Sequence, residues 1–430
     1  MPIYDPTVET AERGVISQIQ LERLQAVCNR VYRHVPYYRK RFDEAAITPG
    51  EIESLDDVRR LPKTDWNILV ENRPHGLFAV PMHSVVRLQV VSGGLKNDVV
   101  VGYTRNDVRH WTQLTARTLC GGGVTHEDVV QIMLDYDLFS GALAIHGGAE
   151  EIGATVIPSA TLNAEKKVEI MRNYRTTIVI GTPSHALDLL AFLKEREIDP
   201  QSLYLRSVLL VGGTWTENLR REIEEGLFAR CFGGFAIPEV ASTGLAAECE
   251  HRNGLHVVED HFLTEVLDPR TGEPVSGEEP GELVITTLTK EAFPLIRYRT
   301  GQMIRMFSSP CACGRTLARM ELLRERCDNR VVIGGIRINP DDIGPILTEI
   351  EGLTPDFRLI ISQEGRRDLL ELQVGLTEEA FGDEMRALQS LIERIHEKVE
   401  MRFNLPVSVK LVESASISEG PRWVDRRDKD

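Results

Sequence analysis

The sequence predicts an α/β fold with a large N-terminal domain and a small α+β C-terminal domain, and its length and two kinds of pattern support this. The chain has 430 residues, more than one hydrophobic core usually supports. Between residues 61 and 211, short apolar runs alternate with stretches of helical period, which is typical of a largely parallel sheet. Between residues 255 and 310, short strands and turn-rich pieces indicate an antiparallel β meander.

The predicted elements follow from these patterns in chain order. Apolar residues recur at helical spacing within residues 15–45, a segment whose end is marked by Val35-Pro36-Tyr37-Tyr38. Strands of the parallel region are predicted at 129–133, 154–158, 177–180 and 205–211, and strands of the meander at 256–258, 263–267, 283–287 and 303–307. The small domain is predicted to contain strands at 331–333, 336–338, 357–362, 369–375 and 407–412 and helices at 341–351 and 382–400. The predicted domains are residues 1–326 and 327–430.

Composition excludes several classes of function. Hydrophobic residues make up 42% and charged residues 27% of the chain, as in ordinary globular proteins. The 50 basic and 65 acidic residues give a net charge of −15, which argues against a nucleic-acid binder. No run of about 18 uncharged apolar residues occurs, and no signal-peptide core follows Met1–Pro6, so we expect a cytoplasmic protein without a membrane partner.

The segment after Val90-Val91 has the composition of a degraded phosphate-binding loop. It reads Ser92-Gly93-Gly94-Leu95-Lys96-Asn97-Asp98. Glycines and hydroxyl residues after an apolar run allow backbone N–H groups to wrap the phosphates of a nucleotide. A working loop of this type has two threonines and a lysine after its first glycine, whereas here those positions hold other residue types and the lysine is displaced by one position. The remnant of the site is Ser92, Gly93 and Lys96.

Further motifs occur in order along the chain. They are Val35-Pro36-Tyr37-Tyr38-Arg39, Gly76–Pro81, Gly102-Tyr103-Thr104, Gly153–Pro158, Trp215-Thr216-Glu217, Glu259-Asp260-His261-Phe262, Thr286–Ala292 and Arg297-Tyr298-Arg299-Thr300. Together they resemble the phenylacetate-CoA ligase branch of the adenylate-forming enzymes, from about residue 25 to the C-terminus. The resemblance implies the adenylate-forming fold with a mobile C-terminal domain. It also implies a reaction in which ATP converts a carboxylate to an acyl-AMP, which the CoA thiol then attacks.

Several positions that the resemblance assigns to ATP are altered. The motif Phe235-Ala236-Ile237-Pro238-Glu239 keeps an aromatic residue able to stack and the glutamate that holds Mg²⁺ in the family, but lacks the hydroxyl residue. Val211-Gly212-Gly213-Thr214 stands where the family has Gly-Ala-Glu-Pro. Gln302 replaces the aspartate that clamps the ribose, and so lacks the charge that strengthens hydrogen bonds to the hydroxyls.

The most damaging change is near the C-terminus. Where the family has Ser-Glu-Gly-Lys, this chain has Ser418-Glu419-Gly420-Pro421, followed by Arg422. Proline has neither charge nor N–H, and an arginine in another register does not simply replace an ammonium. Removing one preorganised donor from a transition state costs about 3 to 4 kcal/mol. We therefore expect adenylation to be slow or absent, which makes a role for ATP and Mg²⁺ doubtful.

The positions that the resemblance assigns to thioester chemistry are retained. Arg326 and Asp328 match the hinge, and Gly334, Gly335 and Arg337 match the region that lines the pantetheine channel. The aryl pocket and its neighbours are matched by Tyr136, Phe139, His146 and Gly147. The residues assigned to catalysis are Glu239, His146 and Arg326, those assigned to the substrate also include Gly212, Gly213, Phe235, Ala236, Ile237 and Pro238, and those assigned to nucleotide or CoA are Ser92, Gly93, Lys96, Gln302, Asp328, Gly334, Gly335 and Arg337.

Transfer between two thiols is close to thermoneutral, so an enzyme that only binds and orients the partners needs no ATP. The first prediction is therefore an acyltransferase that moves an aryl or acyl group from a CoA thioester to a thiol such as the phosphopantetheine of an acyl carrier protein. Two alternatives remain. One is an ATP-dependent aryl-CoA ligase of the phenylacetate, benzoate or anthranilate type, in which Lys96 or Arg422 substitutes for the lost groups. The other is a non-catalytic protein that binds an aryl-adenylate or CoA. Relatives often form homodimers, which leaves a homodimer open.

Seven cysteines are an odd number for a disulfide framework. Cys249, His256, Cys311 and Cys313 offer ligands suited to a tetrahedral structural zinc, although Cys-x-Cys is tighter than the usual spacing. The alternative is a buried Cys249 and an exposed thiol pair. Zinc occurs at this place in relatives, so the resemblance favours a metal that pins the meander and does no chemistry.

The remaining alternatives concern single residues. Cys120, Cys231 and Cys327 are candidate acyl-accepting nucleophiles, but no histidine and carboxylate pattern supports them and packing is the preferred interpretation. His146 is either a donor to the thioester or a histidine satisfied under the sheet. Tyr136 and Phe139 belong either to the aryl pocket or to the general core. Glu239 is either a Mg²⁺ ligand or a structural acceptor.

Overall fold

The computed structural model describes residues 2–91, 97–136, 141–212, 215–328, 330–333, 336–364, 367–377, 385–403, 407–417 and 422–427. The chain divides into two compact units. The first combines Met1–Val91 with Val99–Asp328, and the second combines Ser92–Asp98 with Asn329–Asp430. The predicted α/β class, with a sheet-rich large part and a small α+β part, is confirmed.

In the first unit, two helices occupy the segment 15–45 that was predicted as one. The α-helices described in this unit are α1 (Pro6–Glu9), α2 (Arg13–His34), α3 (Pro36–Glu44), α4 (Trp66–Glu71), α5 (Arg105–Gly121), α6 (Ala142–Ile152), α7 (Ala164–Tyr174), α8 (Pro183–Glu195) and α9 (Glu217–Leu227). The segment 15–45 is divided because Val35 is extended and Pro36 starts α3, the helical position where proline needs no N–H partner. Helix α5 begins with a capping box, in which Thr104 accepts from the Asp107 N–H and the Asp107 carboxylate accepts from the Thr104 N–H.

Most strands of the first unit belong to one large sheet. Its strands are β3 (Val129–Ile132), β4 (Thr155–Pro158), β5 (Ile178–Gly181), β6 (Ser207–Val211), β7 (Arg230–Ile237), β8 (Ala241–Ala247), β9 (Leu255–Val257), β10 (Phe262–Leu267), β11 (Gly281–Thr287), β12 (Tyr298–Phe307) and β13 (Arg319–Arg326). Among the described residues these eleven strands are ordered β10-β11-β12-β13-β9-β8-β7-β6-β5-β3-β4. Strands β7, β6, β5, β3 and β4 are parallel, and the others are antiparallel. Both predicted regions are therefore present in one continuous sheet.

The parallel half of the sheet is covered on both faces. Val179 of β5 packs in a hydrophobic cluster with Leu187 of α8, while its neighbours Ile178 and Ile180 pack in another cluster with Ile145 of α6. Side chains alternate between the faces of a strand, so two separate clusters mean two covered faces. This explains why these strands are continuous apolar runs in the sequence.

Outside the large sheet, β1 (Arg87–Val91) and β2 (Val99–Tyr103) form an antiparallel pair. The second unit contains β14 (Val331–Ile333), β15 (Ile336–Ile338), α10 (Ile343–Thr348), β16 (Leu353–Glu364), β17 (Arg367–Leu376), α11 (Met385–Phe403), β18 (Val407–Glu413), α12 (Ser414–Ile417) and β19 (Trp423–Asp425). Strands β14 and β15 pair with each other, and β18, β17, β16 and β19 form a sheet in that order. The hydrophobic core of this unit includes Phe357, Leu372 and Ile395. In the described part of the chain, no helix has the length and apolar character needed to cross a bilayer.

Candidate functional site

Glu239 lies in the turn that joins β7 to β8. Its side chain is 0% exposed, and its Oε1 accepts a hydrogen bond of 2.6 Å from the hydroxyl of Tyr298, the first residue of β12. The turn is closed by a 2.8 Å hydrogen bond from the Val240 N–H to the Ile237 carbonyl. The carboxylate is therefore held by a residue of β12, a strand that does not pair with β7 or β8, while a backbone hydrogen bond closes the turn itself.

Lys290 reaches the same turn from the connection between β11 and β12. Its Nζ donates to the carbonyl oxygens of Val240 at 2.8 Å and of Glu239 at 3.4 Å, and lies 4.7 Å from the ring centroid of Tyr103. Burial lowers the pKa of Lys290 to about 8, although the carboxylates of Asp107 and Glu239 act in the opposite direction. The sequence analysis assigned no role to Lys290 or Tyr298, although both lie in motifs of the resemblance.

The predicted substrate residues around Phe235 lie at the carboxyl edge of the parallel strands. Phe235, Ala236 and Ile237 are the last residues of β7, and Pro238 follows them. Gly212 follows β6 with a φ of +72°, in the left-handed region that favours glycine. Val211 pairs with Gly234 in parallel register, which places Gly212 and Phe235 at the same edge. Open α/β sheets bind their ligands outside this edge.

A small, mostly apolar recess lies between α5, α6 and this part of the sheet. It is lined by Thr115, Thr118, Leu119, Gly122, Ile145, Leu209, Val211, Phe232, Gly233, Gly234 and Thr243. Tyr136, one of the predicted pocket residues, packs against the hydrophobic cluster that includes Ile145 and Phe232. The sequence analysis missed the α5 residues of this recess. The feature that could have indicated them is a pair of hydroxyl residues, Thr115 and Thr118, three positions apart on an otherwise apolar helix face.

Tyr136 and His146 form a polar pair near this recess. The Tyr136 hydroxyl lies 3.1 Å from His146 Nδ1, and His146 Nε2 lies 3.1 Å from a Glu150 carboxylate oxygen, so both ring nitrogens are engaged. Burial and the charge of Glu150 raise the pKa of Tyr136 to about 12. Gly147 lies where α6 approaches α5, since a Cβ there would be 3.1 Å from Thr112 Oγ1. Phe139 lies outside the described residues.

Gln302 belongs to a hydrogen-bonded cluster with the predicted hinge residues. Its amide nitrogen donates to the carbonyls of Leu323 at 2.6 Å and Met303 at 3.0 Å, while its oxygen accepts from Arg326 at 3.2 Å. Arg326 also binds both carboxylate oxygens of Asp328, at 2.7 and 2.8 Å. The structure therefore brings the predicted ribose position and the predicted hinge residues together.

Several predicted residues cannot be placed. Ser92, Gly93, Lys96, Gly213, Gly334 and Gly335 lie outside the described residues, as does Pro421, and Arg337 is described only as part of β15. Arg422 is described within the second unit. It pairs with Asp341 at 3.2 Å, and its guanidinium carbon lies 5.7 Å from the ring centroid of Phe357.

The four predicted metal ligands come together. Their ligand atoms all lie within 4.8 Å of one another. The sulfurs of Cys249 and Cys311 are 3.7 Å apart, and the sulfur of Cys313 is 3.4 Å from His256 Nε2. Zinc–sulfur bonds of about 2.3 Å in a tetrahedron place two sulfurs roughly 3.8 Å apart, so the donor set fits zinc. Burial lowers the pKa of His256 to about 4, which leaves the imidazole in the neutral form that ligates metals.

The other candidate cysteines have the properties of buried packing residues. Cys120 and Cys231 are buried and Cys327 is partly buried, and burial raises the pKa of each thiol to about 12. A thiolate, not a thiol, is the nucleophile. These three side chains are therefore poorly suited to accept an acyl group, which supports the packing interpretation.

Comparison with known proteins finds relatives along nearly the whole chain. The model of the AMP-binding enzyme C-terminal domain family matches residues 335–427. A phenylacetate-coenzyme A ligase of Thermus thermophilus is 36% identical over 423 residues, which is 95% of each chain. Its Escherichia coli counterpart is 34% identical over 421 residues, covering 97% of this chain and 95% of the relative. A crystal structure of 2-hydroxyisobutyryl-CoA ligase with 2-HIB-AMP and CoA superimposes with a TM-score of 0.91 at 26% identity, covering 98% of this chain and 92% of that one. The chain therefore belongs to the phenylacetate-CoA ligase family of adenylate-forming enzymes.

Proposed function

We propose that this protein is an ATP-dependent acyl-CoA ligase, which converts a small aryl or acyl carboxylate to an acyl-AMP and then to a CoA thioester. The observation that carries the proposal is similarity to phenylacetate-coenzyme A ligases along nearly the whole of both chains. It favours the ligase over the acyltransferase that the altered motifs suggested first. The altered residues are then features that slow adenylation without changing the class of reaction. The comparisons show neither transfer to an acyl carrier protein nor homodimer formation.

Glu239 is the residue that would hold Mg²⁺ in this proposal. Carboxylate oxygens are the ligands that Mg²⁺ prefers, and the carboxylate is fixed in place by Tyr298. Bound Mg²⁺ supplies neutralising charge on the phosphate oxygens of ATP. The protein's own contribution is to keep the carboxylate at one position, because catalysis of phosphoryl and adenylyl transfer depends chiefly on positioning and charge.

The recess beside β7 supports a small, largely apolar acyl group. Its lining is dominated by Leu119, Ile145, Leu209 and Phe232, and Phe235 lies at the adjoining strand end. Burial of apolar surface is worth about 25 cal/mol per Å², so this lining favours an apolar substituent over a charged one. The carboxylate would point toward the edge where Gly212 and Glu239 lie.

The hinge cluster supports weak ribose binding. Both polar ends of the Gln302 amide are engaged within the cluster, so ribose hydroxyls have to compete with these bonds. We propose that residues 327–430 form the mobile domain and that Arg326 positions Asp328 at its start.

The proposed activity is tested by carboxylate-dependent exchange of pyrophosphate into ATP, measured beside nucleotide-free transfer from aryl-CoA to a pantetheine thiol. The expected result is slow exchange that a panel of small aryl acids stimulates, and loss of exchange in Glu239→Gln. Glu225→Gln, an exposed residue of α9, is the matched control and should exchange like the wild type. Transfer without nucleotide, together with no exchange for any acid, would replace the ligase by the acyltransferase.

We also propose that Cys249, His256, Cys311 and Cys313 hold a structural zinc. The ligand spacing and the burial of Cys249 and His256 support it. The site links the end of β8 and β9 to the loop before β13, and so would stabilise the antiparallel half of the sheet.

A further inference from the structure

We propose that Lys290 is a positioning residue for Glu239: its ammonium holds the main chain of the turn while Tyr298 holds the side chain. The inference rests on the proposed function, because the role of Glu239 as a Mg²⁺ ligand is part of that proposal. No contact between Lys290 and substrate is required. Lys290 affects the reaction only through the position of the Glu239 carboxylate.

The turn receives a hydrogen-bond donor from outside itself. The antiparallel register of β7 and β8 shifts between Phe235 and Ile237, so the regular ladder is interrupted just before Glu239. Val240 is 1% exposed, and a buried carbonyl without a donor is costly. The Lys290 Nζ supplies that donor at 2.8 Å and also lies 3.4 Å from the Glu239 carbonyl.

A single connection supplies both contacts. Residues 288–297 join β11 to β12, so Lys290 and Tyr298 are part of one continuous segment. The segment is fixed on α5, because the Asp107 carboxylate accepts from the N–H groups of Glu291 at 2.7 Å and Ala292 at 2.9 Å. The part of the segment next to Lys290 is therefore fixed at the start of α5, while Tyr298 is fixed by the pairing of β12 with β11.

The side chains around Lys290 include an aromatic ring that attracts its positive charge. The ring of Tyr103 lies against the charge, and this ring is stacked on Trp111 with centroids 4.7 Å apart and an interplanar angle of 8°. A cation over an aromatic face is attracted by the ring quadrupole. A small recess that Thr289 and His110 also line lies beside Lys290. Burial lowers the pKa of Lys290, so the protein bears a cost for keeping this amine at the turn.

The test compares Lys290→Met, which keeps the side-chain length without donors, with Lys290→Gln, which keeps N–H donors on a shorter uncharged chain. Lys166→Met on the exposed face of α7, where Lys166 pairs with Glu169, is the matched control. Two readouts are measured: hydrogen exchange of the backbone amides of residues 237–243, and kcat and KM in pyrophosphate exchange. In Lys290→Met we expect amide exchange at the turn to be faster by about tenfold, and kcat to fall while the KM for the carboxylate is unchanged. Lys290→Gln should show a few-fold change in the same directions, and Lys166→Met none.

Amide exchange at wild-type rates in Lys290→Met would overturn the proposal. If that variant does not fold, wild-type exchange rates at the turn in Lys290→Gln overturn it in the same way. A wild-type enzyme that shows no pyrophosphate exchange, with faster amide exchange in Lys290→Met, would remove the proposed function and leave the positioning of the turn intact. Normal pyrophosphate exchange in the wild type and in both variants would remove the positioning role and leave the ligase intact.

Discussion

Replacing Tyr298 by Phe removes one hydroxyl and tests how firmly the site depends on the Glu239 contact. The ring is 0% exposed and packs in the main core, and phenylalanine keeps that ring. The lost contact is a 2.6 Å hydrogen bond to a buried carboxylate oxygen. Hydrogen bonds to charged groups contribute about 1.5 to 3 kcal/mol, and one carboxylate oxygen would lose this donor. We therefore expect the free energy of unfolding to fall by roughly 2 kcal/mol.

The assay is denaturant unfolding followed by tryptophan fluorescence, together with pyrophosphate exchange. The pyrophosphate exchange rate should fall by about tenfold, because the carboxylate is held less firmly without this donor. Tyr32→Phe is the matched control, since the Tyr32 hydroxyl donates to Asp43 at 2.9 Å on the exposed surface, where the loss should be below about 1 kcal/mol. Equal stability changes in the two variants, with unchanged exchange in Tyr298→Phe, would refute the reasoning.

Three further predictions follow from the site, the metal ligands and the buried lysine. Gln302→Asp should lower the KM for ATP by several-fold in steady-state pyrophosphate exchange, because a charged acceptor strengthens hydrogen bonds to ribose hydroxyls; an unchanged KM would mean that this position does not face the ribose. Cys313→Ser should lower bound zinc, measured by mass spectrometry of the purified protein, from about one equivalent toward none and reduce the unfolding temperature; a metal-free wild type contradicts the zinc proposal. Burial lowers the pKa of Lys290 from its ordinary value of 10.5 to about 8 in the folded protein, so between these two pH values the unfolded chain binds more protons. The free energy of unfolding of the wild type relative to Lys290→Gln should therefore rise as pH increases from about 8 to about 10; a flat difference would contradict the burial of the amine. The titratable groups around the Lys290 amine, which are the same in the wild type and in Lys290→Gln, are Asp107, Glu239, Tyr103, His110 and His261.

The sequence was sufficient to predict the class of fold and most strands of the large sheet. Strands such as β5 and β6 are continuous apolar runs because two hydrophobic clusters cover them, and this signal is local in the sequence. The start of β12 at Tyr298 was missed, because Arg297 and Arg299 interrupt its apolar pattern. These arginines are satisfied by ion pairs with Glu265 and Glu282 on other strands, a long-range compensation that periodicity does not report.

The candidate site was predicted less completely than the fold, because several of its contacts also join residues that are far apart in the sequence. Cys249, His256, Cys311 and Cys313 were grouped correctly, since the residue types themselves indicate metal chemistry. The partners of Glu239 were not found, because Tyr298 is 59 residues away in the chain and comes within hydrogen-bond distance of Glu239 only in the folded protein. The weight given to the degraded phosphate loop, Gln302, Pro421 and the other altered ATP positions led to the acyltransferase prediction, whereas similarity to phenylacetate-coenzyme A ligases along nearly the whole of both chains favours the ligase. The ordered set of motifs predicted the family, and the altered positions within it did not.

The most direct measurement is pyrophosphate exchange into ATP by the purified wild-type protein, with and without a panel of small aryl carboxylates. The ligase predicts exchange that depends on one of these acids and disappears in Glu239→Gln. Exchange that is absent with every acid, while aryl-CoA acylates a pantetheine thiol in the same preparation, would contradict it.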